Sequence, residues 1–136
     1  MTERAQAVRL AAMIRDELAL VGRVVEEAAQ VGCAPGAAAP PPLELRGAGG
    51  IVHDFYTGIE HCCERVAAEI DGGVPEGPAW HRTLLQSMVL ELPALRPPVL
   101  RRETAHRVEE FLRFRLVFRN VYGFDMEWAR LRALLA

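Results

Sequence analysis

The segment Arg113-Phe-Arg-Leu-Val-Phe-Arg-Asn-Val-Tyr122 threads three arginines, an amide and a phenol through an otherwise apolar run. A guanidinium offers five N–H donors in a rigid fork and keeps its charge, so Arg113, Arg115 and Arg119 are suited to gripping phosphate oxygens. Asn120 can hydrogen-bond a phosphate or a ribose hydroxyl, but an amide cannot move protons near neutral pH as an imidazole does. For any single arginine, an ion pair with Glu109, Glu110 or acids of the first helix is the simpler assignment. The set, taken with Tyr122, points to an anionic ligand.

The histidines give no second constellation. His106 precedes Asn120 by about four helical turns, too far along one helix to share its site. His53-Asp54 and Glu60-His61 lack a metal-binding spacing, so solvent-facing or packing roles are expected for both. His53, His61 and His81 lie on other helices and the sequence alone does not place them relative to Asn120, although Trp80-His81 reads most simply as a packing pair at a helix start. Gly47-Ala-Gly-Gly50 has neither the lysine nor the preceding strand of a phosphate loop, and no nucleophile elbow or carboxylate cluster occurs. Neither a metal nor a cofactor is expected.

The elements that must position these residues read as helices. The chain has 136 residues, about half apolar and a quarter charged, which suits one domain over 1–136 with a single helical core. Thr2 can cap a first helix to about Gln30, with Val8, Ala11, Ile14, Leu18, Val21, Val25 and Ala28 inward. The Pro/Gly-rich residues 31–43 are expected to be a loop. A second helix starts between Leu43 and Ile51 and continues to about Ile70, with Ile51, Val52, Phe55, Ile59, Cys62, Val66 and Ile70 inward; Asp71-Gly-Gly stops it. A third spans about Ala79 to Leu92. A fourth runs from Arg102 or Thr104 to Tyr122, with Gly123 closing it. Asp125 can cap a short last helix to Leu135. No stretch alternates as a strand does. The expected fold is all-α, an up-and-down bundle of four main helices plus a short C-terminal one.

On the fourth helix, Phe111, Phe114, Val117, Phe118 and Val121 share one arc and should form its core stripe. Arg115, Arg119 and Tyr122 flank it on one side, Arg113 and Asn120 on the other. Leu112 and Leu116 then stand on the far side and are expected to mark a homodimer seam rimmed by arginine.

Charge agrees with an anionic partner near this helix. Residues 1–100 hold eight Arg against thirteen Asp/Glu, whereas 101–136 hold eight Arg against five, a local net of +3 within a chain of net −2. All sixteen basic residues are Arg, which GC-rich coding explains most simply. No run approaches the length of a membrane span. Met1-Thr-Glu-Arg lacks a signal-peptide pattern, so a cytoplasmic location is expected. Cys33, Cys62 and Cys63, odd in number and two of them adjacent, fit neither a disulfide framework nor zinc-ligand spacing.

Arg115-x4-Asn120-x-Tyr122 resembles the Arg-x4–6-His-x-Tyr motif of HepT-like proteins of the HEPN superfamily. Length, helical pattern and the motif's place before a short last helix agree with that family. Ile51-Val-His-Asp-Phe-Tyr-Thr-Gly-Ile-Glu60, Gly77-Pro-Ala-Trp-His81 and Tyr122-Gly-Phe-Asp-Met-Glu-Trp128 also resemble one of its branches. The resemblance implies a homodimeric, metal-independent endoribonuclease toxin acting on RNA and paired with a small nucleotidyltransferase-like antitoxin. It implies that Arg115 holds or activates the scissile phosphate, with Arg113 or Arg119 assisting, and that Tyr122 can receive AMP. The departure is Asn120, which stands where the motif has histidine. The alternative is therefore a HEPN module that binds a nucleotide or docks a nucleotidyltransferase without cleaving RNA.

Overall fold

The computed structural model describes residues 2–34, 36–118, 122 and 127–136. Among the described residues the fold is all-α, with five helices and no strand beyond an isolated bridge between Leu92 and Arg96. The helices are α1 (Glu3–Ala28), α2 (Pro42–Val66), α3 (Trp80–Ser87), α4 (Arg102–Phe118) and α5 (Trp128–Leu135). None of them is long and apolar enough to cross a membrane.

α2 is the central element, and each of the other four packs on it. It begins earlier than the Pro/Gly content suggests. Pro42 occupies its first turn, where a missing N–H costs nothing, so residues 42 and 43 belong to the helix rather than to the preceding loop. Its far end widens into one π-helical turn, Ala67–Asp71, which closes where Gly72 turns to φ 96°. Because α2 meets partners around most of its girth, its buried set is broader than one stripe. Tyr56, Gly58, Glu60 and Cys63 are buried along with Val52 and Val66, while Ile51, Phe55, Ile59, Cys62 and Ile70 are only partly covered. Gly58 lets α1 close on α2, since a Cβ there would run into Val21 Cγ2.

α1 starts as expected, with Thr2 Oγ1 accepting from the Ala5 N–H at 3.1 Å. It packs chiefly along α2, so it buries only a narrow line. Leu10 and Val21 are buried, while Val8, Leu18 and Val25, expected inward, are exposed.

α3 is eight residues long, shorter than its pattern suggested, and gives way to turns at Met88. The Val99 and Leu100 N–H groups return to Met88 O at 2.8 and 3.0 Å, folding the Pro-rich segment back against α3. Arg96 fixes that segment. All five of its N–H donors are used: Nε and Nη2 go to the two Asp71 oxygens at 2.7 Å, Nη2 also to Ser87 O, and Nη1 to Leu90 O and Pro97 O. The Asp71 carboxylate raises the Arg96 pKa further still.

On α4 the core stripe differs from the expected one. Ala105, Val108, Leu112 and Phe114 are buried, whereas Val117 is 42% exposed. Leu112, at 2% exposure, packs with Tyr56, Leu85, Ala105 and Val108, and with Val89 and Leu100 beside them. The chain's own α3 and its return segment thus cover the side expected to meet a second protomer, and the assignment of Leu112 to a dimer seam is corrected. Leu116, at 44% exposure, remains on the surface. The expected closing positions Val121 and Gly123, and the cap Asp125, lie outside the described residues. Leu131 on α5 is fully buried against Leu45, Ala48, Val52 and Phe114, and Trp128 Nε1 donates to Ala37 O at 2.8 Å.

A candidate site where three helices meet

The corrected register of α4 places Arg115 within about 60° of Val108, Phe111 and Leu112, near the middle of the buried arc. Its side chain is only 17% exposed. A guanidinium cannot sit there without partners, and α2 and α3 supply them. Arg115 Nη1 lies 3.4 Å from Glu60 Oε1 and 3.2 Å from His81 Nδ1. Its Cζ stands 5.8 Å from the centre of the Tyr56 ring.

Glu60 is the hub of this cluster and is 6% exposed. It sits one helical turn after Tyr56, so the Tyr56 hydroxyl donates to Glu60 Oε2 at 2.5 Å. His81 Nδ1 approaches the same oxygen at 2.6 Å. Burial, and then the bond to Glu60, pushes the Tyr56 hydroxyl well above its ordinary pKa, so it stays a donor at any working pH.

The shorter of its two contacts assigns the proton on His81 to Nδ1. Glu60 Oε2 already accepts from Tyr56, and a carboxylate oxygen 2.6 Å from Nδ1 requires that Nδ1 carry the hydrogen. Arg115 Nη1 therefore lies beside that nitrogen and donates to Glu60 Oε1. The imidazole is further held by the Trp80 indole, with ring centres 3.7 Å apart and planes 30° apart. Nε2 is left as the acceptor nitrogen of a side chain that keeps 16% exposure.

Arg115 also retains unused donors. Nε is buried with no hydrogen-bond partner, and Nη2 makes no bond among the described residues. An anion reaching Nη2 would meet directed N–H groups beside an imidazole. Such an arrangement can hold a phosphate and move a proton next to it.

The other expected residues are spread more widely. Arg113 is 54% exposed and lies 3.6 Å from Glu109 one turn back, the local ion pair that the spacing allowed. Glu109 also reaches Arg82 at 3.4 Å. Arg119 and Asn120 lie outside the described residues. Tyr122 is 71% exposed. Glu60 and Tyr56 were missed from the sequence, and for His81 a packing role was only the simplest of the roles left open. A signal existed for Glu60, which shares the buried register of Tyr56 and Cys63 on α2, where an unpaired carboxylate is costly. No local pattern links His81 to a residue 34 positions later.

The remaining histidines do not join the cluster. His61 Nδ1 pairs with Glu17 at 2.8 Å across the α1–α2 seam, and the His53 ring packs 5.5 Å from that of Phe118.

A protein-family model described as HepT-like protein matches residues 48–136. No curated protein and no solved structure matches the chain. The matched span contains Tyr56, Glu60, His81 and Arg115 and leaves α1 outside.

Proposed function

Because the chain belongs to the HepT-like proteins, we propose that it is the toxin of a HEPN–nucleotidyltransferase pair, a metal-independent endoribonuclease acting as a homodimer. The observation that carries this reading is Arg115. An arginine at the centre of a buried helix face, held from behind by Glu60 through Nη1 yet keeping 17% exposure and with Nη2 making no bond among the described residues, is suited to receiving a phosphate. Arg115 holds the scissile phosphate. Exposed Arg113, in a weak surface pair, and Arg119 extend the grip along the RNA backbone. Asn120 hydrogen-bonds the phosphate or a ribose hydroxyl.

The homodimer forms through the exposed face of α4. Leu116 and Val117, 44% and 42% exposed, flank Arg113 there and support an apolar contact rimmed by charge. The partner is a small nucleotidyltransferase-like antitoxin. Tyr122, at 71% exposure, is open to such an enzyme and is the proposed acceptor of AMP. Co-expression with a neighbouring nucleotidyltransferase, followed by intact-mass measurement, should give a species heavier by one AMP that Tyr122→Phe abolishes. An unmodified mass in the stable complex would contradict this part of the reading.

A second reading rests on Asn120, which cannot act as the motif histidine does. In it the protein binds a nucleotide or docks the nucleotidyltransferase without cleaving RNA. Incubating the purified protein with RNA in EDTA separates the two. Cleavage supports the ribonuclease, and intact RNA supports the binding module.

A further inference from the structure

We infer that His81 is the proton-transferring residue of this site, set in place by Glu60 and working beside Arg115 on an RNA phosphodiester. The inference rests on the ribonuclease reading and assigns its chemistry to a residue outside the Arg-x4-Asn-x-Tyr segment. His81 lies on α3, Glu60 on α2 and Arg115 on α4, so the three converge only in the folded chain.

The geometry meets the requirements of a general base. Glu60 Oε2 holds the Nδ1 hydrogen at 2.6 Å, which leaves the Nε2 lone pair free to accept a proton. Trp80 fixes the ring plane from one face. Glu60 is itself locked by the Tyr56 hydroxyl and by Arg115, so the imidazole hangs from a satisfied, buried carboxylate rather than from a mobile surface one. Arg115 Nη1, 3.2 Å from Nδ1, brings the phosphate-holding guanidinium within one residue's reach of the base. The charged and titratable groups around His81 are Glu60 and Tyr56 from α2, Arg115 from α4, and the Arg82–Glu109 pair at the next position along α3.

The step balances with no added reagent. His81 Nε2 takes the proton of a ribose 2′-hydroxyl as O2′ bonds to the adjacent phosphorus and the P–O5′ bond breaks. The departing O5′ takes a proton from water, and His81 returns its own to solvent. Arg115 offsets the charge that gathers on the non-bridging oxygens. The products are a 2′,3′-cyclic phosphate end and a 5′-hydroxyl end. Asn120 then has no proton to carry, which removes the difficulty raised by an amide at the motif position.

The test combines kinetics with a spectroscopic readout. Cleavage of a 5′-labelled single-stranded RNA is followed in EDTA from about pH 5 to pH 9, a range in which imidazole changes charge. Wild type should lose rate toward the acidic end of that range, as general-base catalysis requires. His81→Gln should be slower by about 100-fold or more and lack that limb, and imidazole should restore part of the rate to His81→Ala. Long-range ¹H–¹⁵N spectra of the unmodified protein, which need no variant to fold, should show His81 as the Nδ1–H tautomer. A His81→Gln rate and pH profile equal to wild type overturns the inference while the ribonuclease reading stands, as does an Nε2–H tautomer. A wild-type protein that leaves RNA intact overturns both.

Discussion

His81 Nδ1 stands 2.6 Å from Oε2 of Glu60, and this contact joins α3 to α2 at the point where Arg115 enters from α4. Two further groups depend on it. The Tyr56 hydroxyl shares the same carboxylate oxygen, and the Arg115 guanidinium takes the other. Three donors thus face a carboxylate that is only 6% exposed, which satisfies its buried oxygens.

Tyr56→Phe removes one of those donors without changing the packed ring. A hydrogen bond to a charged group contributes about 1.5–3 kcal/mol, so urea unfolding at neutral pH should show Tyr56→Phe less stable by about 2 kcal/mol. An unchanged denaturation midpoint would mean that Glu60 does not need the phenol.

Asp71→Ala strands an arginine whose five N–H donors are all used. The Arg96 side chain is 4% exposed and gives two hydrogen bonds to Asp71. Leaving one member of a buried ion pair alone costs about 3–5 kcal/mol. Thermal unfolding should therefore fall sharply for Asp71→Ala, and far less for Arg113→Ala, whose partner Glu109 is a surface neighbour. Equal losses in the two variants would contradict this assignment.

Alkaline stability should follow Cys63. Burial, and secondarily the neighbouring Cys62 thiol and Glu60, pushes its thiol from an ordinary value near 9 up to about 12. The folded pKa is the higher one, so the stabilisation is intact below about pH 9. It is lost progressively as pH rises toward 12, because the unfolded chain ionises first. Tyr56, also raised, adds to the same decline above its ordinary value of 10. Chemical denaturation as a function of pH should show stability falling across this window, and Cys63→Ala should flatten the lower part of the slope. A pH-independent midpoint from 9 to 12 would rule this out.

Much of the fold was legible in the sequence because helical periodicity and punctuation are local. Thr2 capped α1, and Asp71-Gly-Gly stopped the second helix. The errors were errors of partnership. Leu112 and Val117 exchanged their expected roles because the segment after α3 folds back over one side of α4, and nothing local to α4 reveals that. α1 reads as broadly amphipathic, yet Val8, Leu18 and Val25 stay exposed because it leans chiefly on one helix.

The candidate site was half legible for the same reason. Arg115 stood out as a charge among apolar residues, but its ion pair is with Glu60 of α2 and not with Glu109, Glu110 or an acid of the first helix. Which partner was decided by tertiary placement. Glu60 comes from 55 residues earlier and His81 from 34, and an ordinary packing role was the simpler account of each taken alone.

The central claim, that Arg115 grips the phosphate of an RNA substrate, is tested most directly by one comparison of cleavage rates. Wild type, Arg115→Ala and Arg113→Ala are assayed on the same labelled RNA in EDTA, with folding of each matched by circular dichroism. Arg115→Ala should be slower by about 100-fold or more, the scale lost with a directed transition-state donor. Arg113→Ala, exposed and only loosely paired, should stay within about tenfold of wild type and show a weaker salt dependence. A folded Arg115→Ala protein that cleaves at the wild-type rate would contradict the account.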